Sequence, residues 1–269
     1  MADFLQPDLT TSAWLWRLIR RDGVTLGFTS HDRDLWRSGL CYRAAPGMVP
    51  SAIESSDGFD ADSVEVSGAL TSDALRSDDF LAGRWDGAAL SLMMVDWTDP
   101  EGEALPLVRG ELGTVETEGG AFRVDLRGPA SILEAPVCEE TSPDCRSALG
   151  DPRCRIDMAA RRRIATVVSI ADAMVTLDQS AAEGVYAFGR LRWIDGANAG
   201  LMSVIAASSG VTVTLREPPA FVVTAGTRVE LSEGCDLRFE TCRTRFANAV
   251  NFQGEPHLPG NDLLTRYAI

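Results

Sequence analysis

Two cysteine pairs, Cys145-x8-Cys154 and Cys235-x6-Cys242, bracket 80 residues that are punctuated throughout like antiparallel β-structure. Ile164 to Ile170, Ala173 to Leu177, Val185 to Ile194, Leu201 to Ala206, Val211 to Leu215 and Thr227 to Leu231 are short and rich in β-branched residues. Gly, Asp or Asn separates them. Six such segments predict a small antiparallel barrel or sandwich. Each cysteine pair then sits at one end of it, and antiparallel topology can bring the two ends together. Beyond the second pair, Phe239, Cys242, Phe246 and Val250 fall at helical spacing, which predicts a helix from Phe239 to Val250. Gly254 to Gly260 reads as loop.

The chain before the first pair is also mostly strand. Ala13 to Arg20 alternates and is aromatic-rich, and Asp22-Gly23 is a type I′ hairpin signal ahead of Val24 to Phe28. Ser63 to Leu70 alternates, whereas Ala88 to Val95 is continuously apolar, as expected of a strand buried on both faces. Val108 to Glu116, a Gly119-Gly120 turn and Ala121 to Leu126 form a further hairpin. Thr71 to Leu81 is the exception, a short helix that Ser72 and Asp73 can cap and Gly83 can end.

Charge separates the two regions. Residues 1–130 carry 22 acidic and 11 basic side chains, residues 131–269 carry 17 and 14, and five of the six cysteines lie in the second part. The expected organisation is all-β with short helices in two domains joined near Gly128-Pro129. Residues 1–130 form a β-sandwich or barrel-like domain and residues 131–269 a small antiparallel barrel. A formal charge of −14 disfavours general binding of DNA or RNA through phosphate contacts. All 25 basic residues are arginine, so mechanisms that need a lysine are excluded. No apolar run approaches the ~20 residues of a membrane helix, so no membrane insertion is expected. Met1 to Pro7 lacks a secretion signal, which points to synthesis in a reducing cytosol.

Three readings of the cysteines compete. The even count favours disulfides, but a cytosolic setting opposes them. Ordinary buried thiols are common in protein cores. The third reading is a four-thiolate metal site on Cys145, Cys154, Cys235 and Cys242. Its spacing departs from the short intervals of zinc ribbons and from the C-x2-C-x2-C run of bacterial ferredoxins. A larger inorganic core accepts longer intervals, so the pattern admits an iron–sulfur cluster without requiring one.

Specific blocks surround these cysteines. They are Cys145, Leu149-Gly150-Asp151, Cys154 and Asp157, then Gly234-Cys235, Thr241-Cys242, Phe246, Asn248, Asn251-Phe252 and Gly254-Glu255-Pro256-His257-Leu258-Pro259-Gly260. Earlier come Arg21-Asp22-Gly23, Gly27-Phe28-Thr29-Ser30-His31-Asp32, Gly83-Arg84-Trp85-Asp86-Gly87-Ala88 and Val95-Asp96-Trp97. Together they resemble the tail-tip hub family of alphaproteobacterial gene transfer agents and siphophages. The tail-tip L protein of phage lambda shares the x8 and x6 cysteine spacing, with a shorter intervening segment. The resemblance implies a 4Fe–4S cluster on Cys145, Cys154, Cys235 and Cys242 that clasps the C-terminal barrel, with zinc as the alternative metal. Cys41 and Cys138 fall outside the motif and read as ordinary thiols.

The resemblance also implies a structural protein rather than an enzyme. Its expected place is a homotrimeric ring at the tail tip of a phage-like particle, assembled in the bacterial cytoplasm. The ring would lie between distal tail proteins and a large fibre-carrying, host-recognition protein, with a cell-wall peptidase as a further neighbour. DNA would pass transiently, without specific binding. The alternative from a different class is a cytosolic iron–sulfur or zinc redox enzyme, or a zinc interaction module, built on the same cysteines.

Remaining features favour bland readings. His31-Asp32-Arg33-Asp34 fits a polar loop better than a carboxylate–histidine site. His257, between two prolines, fits loop packing better than a hydrogen bond supporting a cluster. Arg161-Arg162-Arg163 fits a solvated strand edge or subunit ion pairs better than a nucleic-acid patch, and no glycine segment matches a phosphate-binding fingerprint.

Overall fold

A computed structural model describes residues 3–7, 9–44, 49–50, 63–69, 76–118, 121–128 and 138–258. The chain divides into two compact units, Met1–Val137 and Cys138–Ile269. Among the described residues no helix is long and apolar enough to cross a membrane.

The first unit is a single nine-stranded sheet rather than a sandwich or barrel. Its strands are β1 (Ser12–Ile19), β2 (Thr25–Thr29), β3 (Leu35–Arg37), β4 (Leu40–Ala44), β5 (Val49–Pro50), β6 (Ser63–Ala69), β7 (Ala89–Asp96), β8 (Ala104–Glu118) and β9 (Ala121–Arg127). They lie in the order β3-β4-β2-β1-β7-β8-β9-β6-β5. Every pairing is antiparallel except β2 with β4. The central pair shows why the apolar runs are continuous. Trp16 and Leu18 of β1 face the same side as their partners Leu92 and Leu90, in a core with Phe28, Phe80, Trp85 and Leu112. Ala13 and Leu15 point the other way, with Met93 and Val95, into a second core containing Leu35 and Tyr42. A strand exposes alternate residues to opposite faces, so two cores require apolar residues at both parities.

Two local expectations differ in detail. The β1–β2 hairpin does not use a type I′ turn, which needs positive φ at both central residues. Gly23 N–H donates to the Arg20 carbonyl at 2.9 Å, and of these turn residues only Gly23 has positive φ, at 89°. The helix α1 covers Ser77–Leu81 and begins at Arg76 without a side-chain cap. Ser72 and Asp73 lie outside the described residues, as do Gly119, Gly120 and Pro129. Gly83 does end the segment, at φ 72°, and α1 sets Phe80 against Trp85 with ring centroids 5.8 Å apart.

The second unit contains a closed five-stranded barrel, β10 (Arg162–Ala171), β11 (Met174–Ala181), β12 (Arg190–Trp193), β13 (Met202–Leu215) and β14 (Arg228–Ser232), in the order β10-β11-β13-β12-β14. Each strand sends alternate residues inward. Ala165, Val167, Val175, Leu177, Leu191, Trp193, Ile205, Val213, Leu215, Val229 and Leu231 are all buried together. Burying each of the larger side chains contributes roughly 1.5–3 kcal/mol.

Five strands replace the six expected, because Leu201 to Ala206 and Val211 to Leu215 are parts of one long β13. Ser208 and Gly210 between them read as a turn. Instead the buried Ser208 is paired: its hydroxyl accepts the Tyr186 N–H at 3.0 Å and its carbonyl the Gly184 N–H at 2.8 Å. There β13 leaves β12 and takes β11 as its partner, with Gly210 at φ 56°. Those same contacts hold residues 183–188 as turns, so only Arg190–Trp193 of the expected Val185 to Ile194 segment is strand.

The expected helix from Phe239 to Val250 is also shorter, α2 covering Phe239–Thr244. Ala247 has positive φ, 49°, and Asn248 turns back so that its N–H meets the Cys242 carbonyl at 3.0 Å. Val250 consequently points to solvent, 90% exposed.

Candidate metal centre

The barrel's own ladder gathers the two cysteine pairs. β10 and β14 run antiparallel with Arg162 opposite Ser232, and the Glu233 N–H continues the ladder to the Arg161 carbonyl at 3.0 Å. The chain entering β10 and the chain leaving β14 therefore meet at one barrel edge. Cys154 lies shortly before that edge and Cys235 shortly after it.

Local turns then aim the sulfurs. The Asp151 carboxylate accepts backbone N–H bonds from Cys154, Arg153 and Ala148 at 2.6, 2.9 and 3.0 Å, folding the first pair into a tight loop. Those donors, the Cys154 N–H foremost, hold the Asp151 carboxyl below the usual range. Asp236 plays the corresponding part for the second pair, accepting from the Arg238 N–H at 3.1 Å and the Thr241 hydroxyl at 2.9 Å. The two loops are stitched by the Cys145 N–H, which donates to the Leu237 carbonyl at 2.8 Å. Gly234 lets the chain pass: a Cβ there would stand 2.1 Å from the Ala187 carbonyl oxygen and from the Gly189 nitrogen.

Cys145, Cys154, Cys235 and Cys242 all line one small cavity, of about 20 Å³, together with Ser147, Leu149, Ile156, Leu237, Phe246, Asn248 and Asn251. Cys154 and Cys242 are buried, Cys145 and Cys235 half-buried, and all are free thiols. Burial pushes the Cys235 and Cys242 thiols up, and the neighbouring cysteines act in the same direction. Such thiols keep their protons until a cation displaces them. Three of the four sulfurs already face N–H donors. The Leu237 N–H approaches Cys235 Sγ at 3.4 Å, the Gln253 N–H approaches Cys145 Sγ at 3.4 Å, and Asn248 Nδ2 approaches Cys154 Sγ at 3.8 Å.

Four thiols with no histidine or carboxylate make a soft donor set. Among the described residues no group of three or more His, Cys, Asp or Glu side chains is arranged to hold a metal ion. A lone zinc would need its sulfurs about 2.3 Å from one centre. The four thiols line a cavity of about 20 Å³ without such a convergence, and it is their soft donor chemistry that is shared with iron–sulfur centres. The Ser147 hydroxyl fits the same view: it is buried at the cavity with no hydrogen-bond partner.

A charged clasp braces the surroundings. Glu233 pairs with Arg161 at 2.8 Å and Arg245 at 2.9 Å, and both guanidinium groups lie over the Phe246 ring, at 5.0 and 4.8 Å. Arg146, beside Cys145, grips Glu255 with two bonds of 2.7 and 3.0 Å. That pairing and the Ser142 N–H bring the Glu255 carboxyl down to about 2.

The other candidates lie elsewhere. Cys41 sits in β4 of the first unit, its Sγ 3.8 Å from Asp34, and Cys138 is exposed. His31 accepts the Arg33 N–H at Nδ1 within a turn and lies tilted against Trp97, ring centroids 5.1 Å apart. His257 is exposed and presents its ring to Phe239. A larger recess, of about 530 Å³, is lined in the first unit by residues including Arg21, Phe80, Asp86, Glu111 and Arg127. It gathers no nucleophile or ligand cluster. Asn248 stood among the blocks around the cysteines, but its bond to Cys154 and the Arg161–Glu233 pair span 94 and 72 residues, and Ser147 has no partner, so sequence could not join them to a centre.

Comparison with known proteins places this architecture. Residues 1–157 match the family described as "Baseplate hub protein, N-terminal attachment domain". Residues 184–262 match "Phage conserved hypothetical protein BR0599". No curated protein matches. A chain from a solved structure titled "Virion of native gene transfer agent (GTA) particle" is 36% identical, with a TM-score of 0.88, over 99% of this chain and 94% of that one. The chain belongs to the baseplate hub proteins, structural components of the tail tip.

Proposed function

We propose that this hub closes the tail tip as a homotrimeric ring. On this reading it is seated between distal tail proteins and the large fibre-carrying, host-recognition protein, with a cell-wall peptidase nearby. Its second unit is fastened by a 4Fe–4S cluster on Cys145, Cys154, Cys235 and Cys242. The observation that carries the cluster reading is the meeting of two sequence-distant cysteine pairs around one cavity at the barrel edge. When bound, the cluster supplies four iron–thiolate bonds that cross-link the loops. Tying Cys154 to Cys235 closes an 80-residue loop, which by analogy with a disulfide removes roughly 4–5 kcal/mol of unfolded-state entropy. Folding of the unit and loading of the cluster are then coupled.

The strongly acidic first part, with 22 acidic against 11 basic residues over 1–130, supports passage of DNA without adhesion, since like charge repels the phosphate backbone. The test is incorporation. Cys235→Ser and Cys242→Ser should give a destabilised second unit and lose entry into particles sedimented from producing cells. Normal incorporation of either variant refutes the structural role.

A further inference from the structure

The most deeply placed polar group of the cavity has nothing to bond. Ser147 is 3% exposed, and its hydroxyl, at a cavity shared with four cysteines, has no partner. A buried hydroxyl without a partner is destabilising, and a protein loop retains one where something else satisfies it. The other polar side chains at the cavity are engaged. Asn248 Nδ2 donates to the Cys154 carbonyl at 2.7 Å, and Asn248 Oδ1 accepts from Asn251 Nδ2 at 2.7 Å. Three thiol sulfurs have N–H donors as described above. Among the described residues Cys242 Sγ has none. The centre therefore has one sulfur short of a donor and one donor short of an acceptor.

We propose that Ser147 is a positioning residue that donates its hydroxyl hydrogen bond to sulfur of the cluster held by the four cysteines. This rests on the cluster reading. Donors to the sulfurs of an iron–sulfur centre stabilise its more negative, reduced state and raise its reduction potential. They also make the iron–sulfur stretching bands sensitive to deuterium.

The experiment uses the full chain, purified without oxygen, as wild type, Ser147→Ala and Ser147→Thr. Iron and sulfide content, the reduction midpoint and resonance Raman spectra in H2O and D2O are measured on each. Ser147→Ala should retain iron and sulfide, shift its midpoint to a more negative value and lose part of the deuterium shift. Ser147→Thr, which keeps the hydroxyl, should restore both. A loaded Ser147→Ala protein with an unchanged midpoint and an unchanged deuterium shift overturns the proposal and leaves the hydroxyl to a trapped water. If Ser147→Ala fails to load, loading by Ser147→Thr supports the proposal, and failure of both overturns it. Wild-type protein without iron and sulfide overturns the cluster reading itself, and this inference with it.

Discussion

Replacing Asn248 should damage the second unit far more than its size suggests. Asn248 is 7% exposed and ties Cys154, 94 residues earlier, to the turn that follows Cys242. Nδ2 donates to the Cys154 carbonyl at 2.7 Å, Oδ1 accepts from Asn251 at 2.7 Å, and its own N–H reaches the Cys242 carbonyl at 3.0 Å. Asn248→Ala keeps the last bond and removes the first two. Each net bond is worth about 1 kcal/mol, and a buried group left unpaired costs about 1–3 kcal/mol. With partial relaxation the sum is about 2–4 kcal/mol. For a unit of about 130 residues, each kcal/mol lowers the midpoint by roughly 3–4 °C, so a fall of about 6–16 °C is expected. Asn248→Asp is the sharper probe. It preserves shape and the Asn251 bond but turns an acceptor toward a carbonyl and a thiol, and should be at least as destabilising as alanine. Scanning calorimetry of the full chain reads both, in the transition of residues 138–269. A fall under about 2 °C for alanine, or an aspartate variant more stable than the alanine one, refutes the assignment of this amide as a strut.

Two further outcomes follow from the same surroundings. Gly234→Ala places a methyl 2.1 Å from two backbone atoms that cannot rotate away. It should cost at least about 1–3 kcal/mol and lower iron retention; an unchanged melting point and iron content contradict the close approach. Glu255, ordinarily near 4.5, is held at about 2 by Arg146 and the Ser142 N–H. A depressed carboxyl contributes stability that is fully present above about pH 4.5 and lost as pH falls toward 2. Urea midpoints measured across that window should fall more steeply for wild type than for Glu255→Gln, and parallel curves exclude the contribution.

Much of the second unit was legible because barrels leave a strong periodic trace. Ala165 and Val167, Val175 and Leu177, Leu191 and Trp193, and Val229 and Leu231 each alternate inward, and turn residues divide most of the strands. The failures share one cause: a local signal overridden by a distant partner. Ser208 and Gly210 have turn chemistry, yet residues 184–188 satisfy the backbone there and β13 runs on. The helical spacing through Val250 is broken because Asn248 is bonded to Cys154, 94 residues earlier. In the first unit the apolar run of β7 showed burial on both faces, but one sheet with a core on each side and a sandwich place the same demand on a central strand. At the centre, spacing identified the four cysteines as two pairs, and only the β10–β14 register shows that they share an edge. Ser147 lies inside the first cysteine block, but its role depends on lacking a partner, which sequence does not display.

Iron and acid-labile sulfide, assayed per chain on protein purified without oxygen, decide whether the four cysteines hold a cluster. A 4Fe–4S cluster gives about four of each per chain in a brown protein, and Cys242→Ser should lose them. Colourless protein carrying one zinc per chain, or no metal, with an unchanged melting point in Cys242→Ser, contradicts it.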